Sequence, residues 1–324
     1  MKALVYSAVE TLELREVPDP SPGASEHLVR IGAVGICGSD MHAYLGHDDR
    51  RPAPLILGHE AAGVVVGGPW DGRRVAINPL VTDPESPASR SGRENLDPAR
   101  QIISMPPREG AFAQLVAIPE RNLVPIPDDV SMEMAALAEP IAVSWHAARL
   151  GLAAQHPADR GRAHVIGGGA IGLAAALSLR AMGVDAVTLA EPNETRAAYL
   201  RDRCGIEIDT APQGGVPLVV DAVGYAATRA TASASVRPGG VIVHIGLGSS
   251  EGGLDIRRLT LQEITFIGTY TYTAQDFRDA CAAMFSGRLG ALDWYEERAL
   301  ADGARAFADI KAGLAPAPKI ILKP

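Results

Sequence analysis

Four side chains in the N-terminal half carry metal-binding chemistry. Cys37 stands in Gly35-Ile36-Cys37-Gly38-Ser39-Asp40-Met41-His42, His59 and Glu60 follow in Gly58-His59-Glu60, and Glu139 comes in Ala138-Glu139-Pro140. A thiolate, an imidazole and carboxylates suit Zn²⁺, and a mixed ligand set with an open position is the form catalytic zinc takes. A second reading stays open at this point: an isolated cysteine is also a small hydrophobe, and an isolated histidine a structural residue. His59 and Glu60 are adjacent, so on a regular strand they point to opposite faces. Both reach one metal only if the backbone bends there. Otherwise one of them supports the ligands from behind.

A second constellation is Gly167-Gly168-Gly169-Ala170-Ile171-Gly172, a GxGxxG run between a predicted strand and a predicted helix. Gly167 allows the tight turn, Gly169 the approach of a pyrophosphate, and Gly172 close helix–strand packing. The exposed N–H groups of the loop, with Ala170 and Ile171, and the helix dipole hold the anion. Glu191 lies 19 residues after Gly172, at the end of the next strand. A carboxylate there bonds a ribose 2′-OH and repels a 2′-phosphate, which favours NAD over NADP. Arg196 argues the other way, since a guanidinium accepts a phosphate.

The elements around these residues fall into two textures. Residues 1–140 read as short strands broken by Gly and Pro: Lys2–Tyr6, His27–Val34, Gly63–Val66, Arg74–Ile77 and Phe112–Ile118. From residue 144 to 286, strands alternate with helices. His164–Ile166 leads to a helix over Ala170–Met182, Ala186–Ala190 to one over Glu194–Cys204, and Pro217–Ala222 to one over Thr228–Val236. Ile206–Ile208, Val241–Ile245 and Ile264–Tyr270 are further strands. The expected class is α/β plus β: a β-rich domain over 1–143 and 287–324, and a doubly wound domain over 144–286. The tail ends in a strand over Lys319–Leu322, and Asp83–Pro107 is a surface excursion of about 25 residues.

Composition agrees with this division. The 324 residues suggest two domains. A hydrophobic fraction of 47% and mean hydropathy of +0.08 exclude a disordered chain. A net charge of −8 argues against nucleic acid or anionic membrane as a partner. Three widely spaced cysteines make no disulfide framework. The N-terminus carries charges inside its apolar stretch and does not read as a signal peptide. The longest uncharged apolar run, Val165–Leu179, is too short to span a bilayer. A soluble, cytoplasmic protein is the expectation.

Taken together, the motifs resemble the zinc-dependent medium-chain dehydrogenase/reductase family, in its sorbitol (polyol) dehydrogenase-like branch. The resemblance runs over essentially the whole chain. It rests on the Cys37 and Gly58-His59-Glu60-Ala61-Ala62-Gly63 segments, Ala136-Leu137-Ala138-Glu139-Pro140, the glycine loop, and Asp221-Ala222-Val223-Gly224. It implies a GroES-like catalytic domain holding zinc, a Rossmann domain holding NAD, and an active site in the cleft between them. Cys37 and His59 are then zinc ligands, and Glu60 is a ligand or alternates with water. Glu139 binds the metal or its water. Ser39 and His42 relay the substrate proton to solvent. Ala222, Ile245-Gly246-Leu247 and Thr269-Tyr270-Thr271 belong to the cofactor site. The implied reaction moves hydride between a secondary alcohol or polyol, or its ketone, and NAD, in a homodimer or homotetramer.

Two departures from the family pattern matter. Asp83, Ser86, Ser89 and Asp97 occupy the positions of the four cysteines that hold a structural zinc in many relatives. Such a set binds zinc poorly, so one zinc per chain is expected, with the lobe mobile or held by protein contacts. Sorbitol-type relatives carry an Arg-Tyr pair where this chain has Thr271-Tyr272, which points to a smaller or less polar alcohol. Tyr44 and Trp145 are candidates for the pocket or for the core.

Two other readings compete. One is a zinc-free quinone or enone reductase using NADPH, whose relatives lack the Cys, His-Glu and Glu set. The other is a nucleotide-binding structural protein. Cys204 and Cys281 read as buried helix thiols, and His146, His156, His164 and His244 have no motif around them.

Overall fold

Val, Ile and Ala runs after residue 160 pair as six parallel strands: β1 (Arg162–Ile166), β2 (Ala186–Ala190), β3 (Glu207–Ile208), β4 (Val216–Asp221), β5 (Val236–His244) and β6 (Thr265–Gly268). Their order is β3-β2-β1-β4-β5-β6, with all neighbours parallel. This is the doubly wound dinucleotide-binding order, in which the succession of strands across the sheet reverses between β1 and β4. The computed structural model describes residues 1–210 and 215–324. By contact it divides into two units, one of Met1–Glu139, Thr273–Phe285 and Tyr295–Pro324, the other of Pro140–Tyr272 and Ser286–Trp294.

Local chemistry sets the element ends. The helix Glu194–Cys204 starts where the Asn193 side chain accepts from the Arg196 N–H, and stops at Gly205 in the left-handed region. The helix Ala170–Ala181 buries Gly172 through Leu179 and needs no polar face over that stretch. Strand β5 begins at Val236, where the sequence predicts a helix end, and runs through Arg237-Pro238-Gly239-Gly240. Its pairing with β4 shifts register between Val216 and Leu218, and the shift absorbs those residues.

The first unit is β-rich. Strand Glu26–Gly35 lies at its centre and pairs with Glu60–Val66, Leu115–Pro119 and Lys319–Lys323. Along it Val29, Ile31 and Ala33 turn inward and Arg30 outward. Arg74–Ile77, Leu123–Pro125 and Tyr295–Ala299 extend this sheet, and Thr11–Glu16, Lys2–Ala8 and Leu55–Ile56 form a second. The core holds the rings of Tyr44, Phe112 and Phe307, with Phe307 5.2 Å from Tyr44 and 5.9 Å edge-on to Phe112. Tyr44 is thus a core residue, and Trp145 of the other unit is equally buried.

No helix of the described residues is long and apolar enough to cross a membrane.

His164 sits on the central strand β1, fully buried, with Nδ1 2.8 Å from Thr188 Oγ1 on β2. Burial pushes its pKa down from 6.5 to about 4, against the attraction of Asp209. The folded chain therefore keeps it neutral where the unfolded chain protonates it. Its contribution is whole above pH 6.5 and is lost as pH falls toward 4, by up to about 3 kcal/mol. Denaturant titrations at about pH 7.5 and about pH 4.5 should show this loss in the parent chain and not in His164→Leu.

Candidate active site

Three strand ends meet at one end of the central sheet of the first unit. Gly35 pairs with Glu60, the first residue of Glu60–Val66, and with Ile321 of Lys319–Lys323. Cys37 follows two residues after Gly35. The Glu60 carboxylate lies over Gly35, where a Cβ would come within 2.1 Å of Oε2. Both its oxygens accept from Lys319 Nζ at 2.6 Å, and Lys319 also donates to Ile36 O at 3.0 Å. Both side chains are buried. Burial works against the Lys319 charge, but Glu60, Cys37 and Glu139 outweigh it and raise its pKa. Lys319 has no motif around it and lies 259 residues from Glu60, so sequence spacing could not find it.

Ligand atoms of Cys37, His59 and Glu60 lie within 4.8 Å of one another. The bend needed at His59-Glu60 is present, because the strand starts only at Glu60 and Gly58 has φ +90°. Glu139, in the first turn of Ala138–Ala154, is not in this group of three, although it is buried and its charge acts on Lys319.

Asp40 braces the cluster, and sequence reasoning gave it no role. It is fully buried in the helix Gly38–Tyr44 and accepts from Cys37 N at 3.0 Å and Gly58 N at 3.1 Å. Its Oδ1 lies 3.5 Å from His59 Nδ1. Burial disfavours the charge on His59, but Asp40 and Cys37 override it and hold the imidazole well above its ordinary range. Burial likewise opposes the Asp40 charge, and His59, Arg51 and the Cys37 N–H lower its pKa in spite of that. Its position in the capping-box spacing after Cys37 was the available signal.

Ser39 and His42 lie one turn apart on the same helix, both half-buried, while Asp40, Met41, Ala43 and Tyr44 turn inward. In the 83–97 segment, Ser86 Oγ donates to Ser89 Oγ at 3.1 Å and accepts from Ser89 N at 3.1 Å. Ser89 Oγ donates to Asp83 O at 2.5 Å, and Asp83 Oδ1 accepts from Glu85 N. Asp97 accepts from Ala99 N, and the Ser86 hydroxyl and this N–H lower its pKa. The lobe is also tied to the helix Ala274–Phe285, whose Ala274 N donates to Glu94 Oε1 at 2.6 Å.

In the second unit the candidate cofactor residues collect at the carboxyl ends of the strands: Gly167–Gly172 after β1, Glu191 after β2, Ala222 after β4, Gly246 and Leu247 after β5, and Thr269, Tyr270 and Thr271 after β6. Gly167 has φ +101°. A Cβ on Gly172 would lie 1.7 Å from Gly167 O, so only glycine lets the helix close on the turn. A Cβ on Gly169 would meet nothing within 4 Å, which leaves its backbone open to a ligand. Glu191 is buried and accepts from Gly168 N at 3.0 Å and Asn193 N at 2.8 Å, with Arg196 at 3.8 Å. Ala222 N donates to Ile166 O, and Gly246 N to Asp221 O. Thr269 bonds to His244 O, and Thr271 has φ +48°.

Comparison with known proteins agrees with both halves. Residues 23–128 match the alcohol dehydrogenase GroES-like domain, and residues 170–286 match the zinc-binding dehydrogenase domain. Sorbitol dehydrogenase of Bacillus subtilis (strain 168) is 34% identical over 84% of this chain and 82% of its own length. L-galactonate-5-dehydrogenase of Escherichia coli (strain K12) is 30% identical over 90% and 89%. A solved alcohol dehydrogenase of Escherichia coli CFT073, complexed with NADH, has a TM-score of 0.89 at 23% identity, covering 100% of this chain and 99% of that one. A GroES-like domain followed by a Rossmann domain is the architecture of the zinc-type alcohol dehydrogenases. This chain belongs to that superfamily, the medium-chain dehydrogenases/reductases, in its polyol dehydrogenase-like branch.

The buried pair makes a direct prediction. Lys319→Met leaves Glu60 without its cation and should cost about 3–5 kcal/mol in urea unfolding. Adding Glu60→Gln should recover most of that loss.

Proposed function

We propose that this chain is a zinc-dependent dehydrogenase moving hydride between a secondary alcohol or polyol, or the corresponding ketone, and NAD. The observation that carries the proposal is the Cys37, His59 and Glu60 cluster in a chain that also has the open glycine loop. Alcohol or polyol oxidoreduction is the activity named for its relatives. The donors fit zinc by chemistry: one thiolate, one imidazole and carboxylates.

When bound, zinc supplies a Lewis acid that lowers the pKa of the substrate hydroxyl, and NAD supplies the hydride acceptor. Cys37 Sγ and His59 hold the metal, and Glu139 holds the metal or its water. Glu60 divides its carboxylate between the metal and Lys319. Ser39 Oγ accepts the hydrogen bond of the substrate hydroxyl, and the His42 imidazole, one turn on, carries the proton outward. Gly167, Gly169, Ala170, Ile171 and Gly172 hold the pyrophosphate, and Glu191 the adenosine ribose. Arg196 pairs with Glu191 and so offers less charge to a 2′-phosphate, which supports NAD. Ala222, Gly246, Leu247, Thr269, Tyr270 and Thr271 line the nicotinamide. Thr271 in place of an arginine fits a smaller or less polar alcohol.

The hydrogen bonds among Asp83, Ser86 and Ser89, with Asp97 bonded to Ala99 N, support a lobe held without metal, hence one zinc per chain. Three free cysteines fit the cytoplasm. Strand β6 is a sheet edge with Phe266 exposed on it, which supports a homodimer or homotetramer. Sedimentation velocity should show such an assembly, and a monomer would remove this part of the reading.

Elemental analysis should find one zinc per chain, and the protein should oxidise secondary alcohols or polyols with NAD. Cys37→Ser should lower kcat/KM by about 1,000-fold. Chelator-resistant reduction of quinones or enones with NADPH would replace this proposal with the zinc-free one.

A further inference from the structure

We infer that Ser104 is a positioning residue for His59, holding the imidazole so that Nδ1 faces the protein and Nε2 faces Cys37 and the metal. The inference rests on the zinc reading above and concerns a residue outside every motif of that reading. Ser104 Oγ lies 3.2 Å from His59 Nδ1, closer than Asp40 Oδ1 at 3.5 Å. Both Asp40 oxygens already accept from backbone, Oδ2 from Cys37 N and Oδ1 from Gly58 N. At 3.2 Å against 3.5 Å, the serine hydroxyl is the nearer of the two acceptors for the Nδ1–H of a neutral, ligating imidazole.

The backbone of Ser104 makes the same point. Its φ is +71°, in the left-handed region that a serine adopts only at a cost in backbone strain. Such strain persists where the surroundings hold it. Here they do: Arg51, buried beside it, donates from Nε to Ser104 O at 3.1 Å and from NH1 to Asp48 Oδ2 at 2.5 Å. Ser104 itself is fully buried, so its hydroxyl is committed to the protein. Glycine would suit this conformation better, and the chain nonetheless carries a hydroxyl that reaches the histidine.

Glycine at 104 therefore separates a structural role from a positioning one. Ser104→Gly relieves the strain, so its thermal stability should match or exceed the parent's. Zinc release to a metallochromic chelator should nonetheless be about tenfold faster. With Co²⁺ in place of zinc, its visible absorption bands should shift relative to the parent. Ser104→Ala, which keeps the strain and loses the hydroxyl, should release zinc as fast as the glycine variant. Release within twofold of the parent by Ser104→Gly, with unchanged Co²⁺ bands, overturns the inference and leaves the zinc reading standing. A parent chain that binds no zinc overturns both.

Discussion

The buried ion pair between Glu60 and Lys319 is the constraint on which the first unit depends. Taking two charges out of water is costly, and that cost is offset only when the geometry is good and the remaining donors are satisfied. Here Nζ reaches both carboxylate oxygens and the Ile36 carbonyl. These bonds fix three segments at once: the end of the strand that leads to Cys37, the start of the strand that follows His59, and the C-terminal strand. Gly35 makes this possible, because any side chain there would occupy the place of the Glu60 carboxylate.

The consequence is a cluster whose side chains are held by the protein's own bonds. Cys37 and His59 flank the ion pair, and Asp40 bonds the backbone on both sides of them. Glu60, Cys37 and Glu139 raise the affinity of Lys319 for its proton, and Asp40 and Cys37 raise that of His59. The same field favours a metal cation, whose binding would displace the proton from His59.

The second unit prepares its loop by the same economy of backbone. Glu191 is drawn to the Gly168 N–H and to Asn193 N, so the acid and the glycine turn are held as one piece. The turns after β4 and β5 are likewise joined, with Gly248 N bonding Val223 O and Ser249 N bonding Gly224 O. Arg229, nearly fully buried, spends its donors on the carbonyls of Gly224, Ser249, Glu251 and Gly252. The carboxyl edge of the sheet is thus tied together by hydrogen bonds to its own backbone.

The sequence by itself determined the βαβ alternation and the glycine turn, and it singles out Cys37, His59, Glu60 and Glu139, of which the fold brings the first three together. Each is written in local periodicity or in residue types whose chemistry is narrow. The helices Gly38–Tyr44 and Gly303–Lys311 are short and start without a Ser, Thr or Asn cap, so local sequence marks them weakly. Lys319 and Ser104 stand outside every motif, because their partners Glu60 and His59 lie far away in the chain and only the fold brings them together. Tyr44 was left between pocket and core, and packing against Phe307 decided it. Spacing along a chain encodes which side chains are available. Which of them share a buried space is fixed by register between strands, and that exists only in the folded molecule.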